Sequence, residues 1–280
     1  MITSLSNEKV KFVRRLQAQK AFRQRERRLV LEGVRLVEEA VRAGIAPELV
    51  LYGEGFASDD RHRGLLDALS GLDAPCHAAS ESVVKSCSDT ATPQGILAVL
   101  PFPELSPPTP LTFVLILDRL RDPGNLGTIL RTALAAGVEQ VLLAPGTVDW
   151  SNPKVVRSAM GAHLRLPVAE ASWEAIAEEV SGCETWLAAA MGGKPYTEVD
   201  WARPAALIVG SEAHGAGDQA RALARNRVSI PMCAGVESIN AAAAAAAILF
   251  EVVRQRSACS AVPATAAVTE AVTTASVTTA

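Results

Sequence analysis

Apolar positions along the chain recur with two periods, one helical and one of strand type. Residues 5–28 place Leu5, Val10, Val13 and Leu16 sparsely among basic side chains, a spacing that predicts a basic helix. In RRLVLEGVRLVEEAVRAG the positions Val34, Leu36, Val37, Ala40 and Val41 predict a second helix, with Gly44 as its C-terminal stop. ELVLYG and GILAVLPF are apolar runs of strand length, with the helical pattern GLLDALSGL between them. This small alternating α/β unit ends at PFPELSPPTPL, where five prolines in eleven residues forbid regular structure and mark a linker.

A different pattern follows. LTFVLILD is a continuous apolar run, the signature of a strand buried on both faces of a parallel sheet. Helical NLGTILRTALAAG, the strand QVLLA, helical NPKVVRSAMGA and extended HLRLPV come next. Then come helical SWEAIAEEVSG, the strands ETWLAAA and AALIV, a glycine-containing loop, and the strand RVSIPM. Seven consecutive alanines, residues 241–247, open the last helix. The alternation predicts a parallel-sheet α/β unit whose ligands gather beyond the carboxyl ends of its strands. The predicted division is 1–104 for the front unit, 105–110 for the linker and 111–257 for the second unit. Residues 258–280, with no aromatic residue, Leu or Ile, read as a disordered tail.

Composition narrows the class. Hydrophobic residues make up 49% and charged residues 20% of 280 positions, as in ordinary globular proteins. No apolar run reaches the roughly 18 residues of a membrane span, and the basic N-terminus lacks the apolar core of a signal peptide. Five scattered cysteines without a C-x-x-C pair, and four histidines without metal-ligand spacing, predict a reducing, cytoplasmic setting and no metal site. The net charge is −3, yet residues 8–42 hold eleven Lys and Arg against five Glu. Such an excess suits phosphates as well as it suits a solvated amphipathic helix.

Three loops carry candidate chemistry. In DRLRDPGNLGTILRT, residues 122–124 predict a turn, with Asn125 capping the helix that follows and Arg131 reaching back to the same rim. In VGSEAHGAG, Gly210 lets a ligand approach the backbone, and Glu212 is a carboxylate among small residues. In IPMCAGVESIN, Pro231 ends a strand, Gly235 permits an unusual turn, and Ser238 and Asn240 offer hydroxyl and amide groups. Neither the dinucleotide fingerprint nor the Walker pattern is present, so neither NAD nor ATP is supported. Trp150, Trp173, Trp186 and Trp201 read as packing residues, and His163, His214 and Cys233 receive no role.

Together and in this order, the three loops resemble motifs 1, 2 and 3 of the SpoU (TrmH) branch of the SPOUT superfamily, the knotted RNA ribose 2′-O-methyltransferases. Asn125 and Arg131 stand at the hallmark positions of the first motif, Glu212 of the second, and Ser238 and Asn240 of the third. Ser211 and Ala213 depart from the Asn and Gly common there. The likeness runs through residues 111–256, and ERRLVLEGVRLVEEAVRAG resembles a substrate-binding domain related to small ribosomal RNA-binding proteins. The resemblance implies a trefoil-knotted parallel α/β domain behind a ribosomal-protein-like α/β domain. It implies S-adenosylmethionine bound by Gly210, Ile230, Met232 and Ile239, and a homodimer acting on RNA, ribosomal RNA ahead of tRNA. The alanine run then reads as a thin helix that lets backbones approach beside the cofactor loop and across the dimer. Rival expectations are an inactive knotted RNA-binding protein and a nucleotide-dependent oxidoreductase.

Overall fold

Alternating apolar side chains feed two sheets in a computed structural model of the chain, which describes residues 1–211, 215–233 and 236–259. The front half runs α1 (Glu8–Ala18), α2 (Lys20–Glu26), β1 (Arg28–Glu32), α3 (Val34–Arg42), β2 (Leu49–Gly53) and α4 (Asp60–Ser70). It finishes with β3 (Cys76–Ala79), α5 (Glu81–Cys87) and β4 (Ile96–Pro101). Its sheet has the order β1-β4-β2-β3, with β4 antiparallel to both neighbours and β2 parallel to β3. Leu29 and Leu31 enter one core while Val30 enters another, so RLVLE is a strand covered on both sides rather than a lead-in to α3.

The basic segment is two helices and not one. Gln19 takes an extended backbone (φ −123°, ψ 111°) and breaks the run. The break turns Phe22 edge-on against Phe12, ring centroids 5.5 Å apart, and carries Arg23 into the interior. β3 and α5, both short, escaped the periodicity reading altogether.

The rear half runs β5 (Phe113–Leu117), α6 (Pro123–Ala135), β6 (Gln140–Leu143), α7 (Pro153–Ala159), β7 (Val168–Glu170) and α8 (Trp173–Glu179). It continues with β8 (Glu184–Ala188), β9 (Lys194–Pro195), β10 (Ala205–Val209), α9 (Asp218–Leu223), β11 (Asn226–Ser229) and α10 (Ala241–Cys259). HLRLPV, expected to be extended, starts as a 3-10 turn at Ala162–Leu164 before β7. α10 runs through residues 258 and 259, which the sequence had assigned to the tail, and residues 260–280 lie outside the described residues.

The seven strands pair in parallel in the order β7-β6-β5-β10-β8-β11-β9. Phe113, Leu115 and Leu117 face the core shared with α6, α7 and α10, while Val114 and Ile116 face α8 and α9. A strand covered on both sides needs the unbroken apolar run seen in the sequence. All four tryptophans are buried.

Despite the prolines, the halves share one continuous core. Phe102 packs on Trp150 at 4.6 Å between ring centroids, and Trp150 stacks on His163 at 5.5 Å. Arg23 of α2 crosses the junction: its Nη2 donates to Asp149 Oδ2 at 2.5 Å and its Nε to Ser151 Oγ at 3.2 Å, with both partners buried. Nearer the surface, Arg157 donates to Asp89 at 2.8 Å. Gly161, at φ +85°, abuts α3 so closely that a Cβ would lie 2.9 Å from Glu39 Cβ.

Two predictions follow from this packing. A Cβ at Gly127 would fall 1.8 Å from Ser158 Oγ and 2.7 Å from the Val155 carbonyl, where α6 meets α7. Gly127→Ala should therefore lower stability by about 1–3 kcal/mol despite its better helix propensity, measured as a fall in denaturation midpoint; an unchanged or higher midpoint refutes the contact. Burial lowers the His163 pKa to about 4, although the Trp150 carbonyl at 2.9 Å and the charge of Asp149 pull the other way. The native state thus holds His163 neutral while the unfolded chain takes up a proton below about 6.5. Stability should be complete above that pH and fall by up to about 3 kcal/mol between pH ~6.5 and ~4. His163→Asn should flatten that part of a denaturation series; an unaltered slope counts against the assignment.

Candidate active site

β10 lies between β5 and β8, with β11 on the far side of β8, so the loops after four neighbouring strands meet at one edge of the sheet. They enclose a cleft of about 940 Å³. This is the position at which open parallel sheets hold their ligands.

The first wall is the loop into α6. Asp122 caps that helix, its Oδ1 accepting the Asn125 N–H at 2.7 Å, and Pro123 takes the first helical position. Asn125 was expected to be the cap; it is the third residue of the first turn instead, because proline needs no hydrogen-bond acceptor and the preceding carboxylate is placed to cap. The Asn125 side chain meets the third loop: Asn240 Nδ2 donates to Asn125 Oδ1 at 3.0 Å. Asn240 also caps α10, its Oδ1 accepting from Ala242 at 2.8 Å and Ala243 at 3.3 Å. A single side chain thereby ties the start of α10 to the start of α6.

The second wall is the turn after β10. Ser211 and Gly215 exchange backbone hydrogen bonds of 3.1 and 2.9 Å, closing a loop whose tip, Glu212 to His214, lies outside the described residues. At Gly210 a Cβ would sit 2.5 Å from the Ala216 nitrogen, so only glycine lets the chain fold back there. The buried carboxylate of Asp118, at the end of β5, accepts the Gly217 N–H at 2.6 Å and fixes the loop's far end.

The alanine run places its members by helical position. Ala242 and Ala245 are buried with Ile248 and Leu249, where α10 packs on α6. Ala241, Ala244 and Ile248 line the cleft. Small side chains let the helix lie near both without filling the space. The other end of α10 is anchored by Arg256, which donates to the Thr112 carbonyl at 2.8 Å and the Trp201 carbonyl at 3.0 Å.

Asn125, Gly210, Ile230, Met232, Ser238, Ile239 and Asn240 all line this one cleft. Arg131 does not. It is exposed on the outer face of α6, with Gly124, Thr128 and Ala135 also exposed at i±3, i±4 or i±7 from it. Six residues beyond Asn125 amount to about 600° of helical turn, so the two side chains cannot share a rim. Glu212 lies outside the described residues.

Sequence reasoning missed the exposed Arg121 and Asp122 and the three alanines 188–190 in the lining of the cleft. The run LAAAMGG at the carboxyl end of β8 was the available signal for the alanines, but β8 had first to be placed beside β10. Among the described residues, no group of three or more His, Cys, Asp or Glu side chains is placed to hold a metal ion.

Comparison with known proteins agrees with this geometry. Residues 112–250 match the family model described as the SpoU rRNA methylase family, and residues 7–98 match the MRM3-like substrate binding domain. The chain is 36% identical over 254 residues to the 23S rRNA (guanosine(2553)-2′-O)-methyltransferase RlmP of Bacillus subtilis, an alignment covering 89% of this chain and 97% of the relative. The AdoMet-bound rRNA methyltransferase of Sinorhizobium meliloti superposes with a TM-score of 0.78 at 28% identity, over 90% of this chain and 97% of that one. The SpoU methyltransferase AviRb of Streptomyces viridochromogenes, in complex with AdoMet, superposes with a TM-score of 0.80 at 28% identity, over 89% and 98%. With its three loops gathered on one cleft and 97% of the Bacillus subtilis relative matched at 36% identity, the chain belongs to the SpoU rRNA methylase family.

Proposed function

We propose that this protein methylates a ribose 2′-hydroxyl of ribosomal RNA with S-adenosylmethionine. The observation that carries the reading is the Asn240–Asn125 hydrogen bond, which joins the first and third motifs across a cleft also walled by Gly210 and Ser211. The cleft suits the cofactor. Its volume of about 940 Å³ is at the upper end for small-molecule sites, and Ile230, Ile239, Ile248 and the alanines give the adenosine an apolar bed beside exposed loop backbone. When bound, S-adenosylmethionine supplies a methyl group on a sulfonium, already a good leaving group.

The chain's own part is to place the hydroxyl and manage its proton and charge. Asn125 and Asn240 hold the rim, and Ser238 offers a hydroxyl beside them. Glu212 belongs to the same set through its motif position. A guanidinium keeps its proton in proteins, so Arg131 acts by charge: it orients a phosphate and stabilises the developing alkoxide.

Its place outside the cleft is accounted for by a homodimer. α10 packs on α6, and each helix keeps an exposed face, α6 with Arg131 and α10 with Ala243 and Phe250, Phe250 at 51%. Pairing these faces in two copies would bring Arg131 to a shared site. The same reading carries the deep trefoil knot that the likeness to the SpoU family implies. In the front half, Lys9, Lys11, Arg14 and Arg15 are exposed on α1, a surface of the charge that RNA requires.

The test is ribose-methylation mapping on ribosomal RNA incubated with the purified protein and S-adenosylmethionine. A new 2′-O-methyl site should appear with the wild type, and Arg131→Ala should lower the single-turnover rate about a hundredfold to a thousandfold. The pH–rate profile of the residual activity should keep its shape; an ionisation near neutrality that vanishes in Arg131→Ala would show the arginine acting as the base. Phe250→Glu should give a monomer by light scattering, with native circular dichroism and little activity. A Phe250→Glu protein that stays dimeric and active would sink the proposed interface.

A further inference from the structure

The loop DRLRD holds two arginines, and the structure uses them differently. Arg119, at φ 55°, is built into the fold. Its backbone N–H donates to Thr147 Oγ1 at 3.0 Å and its Nε lies 3.5 Å from Asp118 Oδ1. Its side chain packs on two glycines, for a Cβ at Gly217 would come within 2.8 Å of Nη2 and one at Gly146 within 3.2 Å of Cγ. Arg121 has none of this. It is exposed, it lines the mouth of the cleft, and among the described residues it makes no hydrogen bond or ion pair. The adjoining Asp122 carboxylate is engaged in capping α6.

Among the described residues that line the cleft, Arg121 is the one cation and Asp122 the one anion; the rest are neutral. A long cationic side chain with no partner among the described residues leaves its charge for what arrives at the cleft. We infer that Arg121 is a substrate-positioning residue that holds a phosphate of the RNA strand at the cleft mouth, beside the ribose to be methylated.

The inference rests on the ribose-methylation reading, under which a strand with a phosphate on each side of the reacting sugar must arrive here. Arg121 is exposed where the cleft opens to solvent, the side from which a strand too large to enter the cleft must approach. The positive end of α6 adds a field of the same sign, and a guanidinium can grip two phosphate oxygens at once. Within one subunit no other described lining residue can meet that charge, because Arg131 is on the far face of α6.

The experiment uses the full chain and two variants, Arg121→Gln and Arg121→Lys, with native circular dichroism as the control for folding. RNA affinity is read by fluorescence anisotropy on a ribosomal RNA fragment across a salt series, and S-adenosylmethionine affinity by calorimetry. Arg121→Gln should weaken RNA binding about tenfold near physiological salt and reduce the slope of log K against log salt by about one, leaving the donor's Kd within about twofold. Arg121→Lys should restore the slope but only part of the affinity. Loss of donor binding with an unchanged RNA slope would assign the guanidinium to the donor's carboxylate and overturn the proposal, and no change in either affinity would overturn it as well. These readouts need no turnover. A wild type that shows the Arg121-dependent slope but transfers no methyl refutes the reaction and not the phosphate contact.

Discussion

β10 fills the slot between β5 and β8 and pairs in parallel register with both, Leu207 opposite Leu115 on one side and Trp186 on the other. All five of its side chains are buried, as are those of β5. A slip of one residue would exchange the two faces of a strand whose sides pack against different helices, so the register is held from both directions. Because the register is held, the carboxyl ends of β5, β10 and β8 stop at a common edge. Everything that the site contains hangs from that edge.

The helices convert the shared edge into a cleft. α6 starts where β5's loop ends, α10 starts where β11's loop ends, and Asn240 joins the two starts while satisfying the first N–H groups of α10. Contacts that tolerate no extra atoms keep the helices there: Gly127 against α7, and the buried alanines of α10 against α6. The cleft remains open because residues 188–190 and the cleft-facing members of the alanine run are too small to fill it.

Charge in the front half is distributed with similar economy. Of the eleven basic residues between 8 and 42, Arg23 is buried against Asp149, and Arg25, Arg28 and Arg42 pair with Glu26, Glu48 and Glu39. Lys11, Lys20 and Arg27 also pair, with Glu8, Glu170 and Glu104, which leaves Lys9, Arg14 and Arg15 on α1 and Arg35 on α3 without an ion pair among the described residues. The Arg23–Asp149 pair has another effect. Breaking a buried ion pair leaves an unpaired charge in the interior, so the orientation of the front half on the rear half is specified electrically as well as by the packing of Phe102, Trp150 and His163.

Local sequence determined the two-sheet organisation, the buried parallel strands, the alanine helix and the cleft residues Asn125, Gly210, Ser238 and Asn240, because apolar periodicity and short polar motifs are written within a few positions of one another, whereas Ile230, Met232 and Ile239 came only through the resemblance to the SpoU family. It misjudged what depends on partners far along the chain. RLVLE is a strand because β4, some seventy residues later, pairs with it. The run 5–28 breaks at Gln19, and beyond the break Arg23 meets Asp149, 126 residues later. Asn125 faces Asn240 and not its own helix start because Asp122 holds the cap. Arg131 and Arg121 look alike in a sequence, yet helical geometry turns the first to the outer face of α6 and leaves the second at the cleft mouth. Only the tertiary structure could decide these, since each depends on which distant backbone or charge arrives next to a side chain, and no local pattern records that arrival.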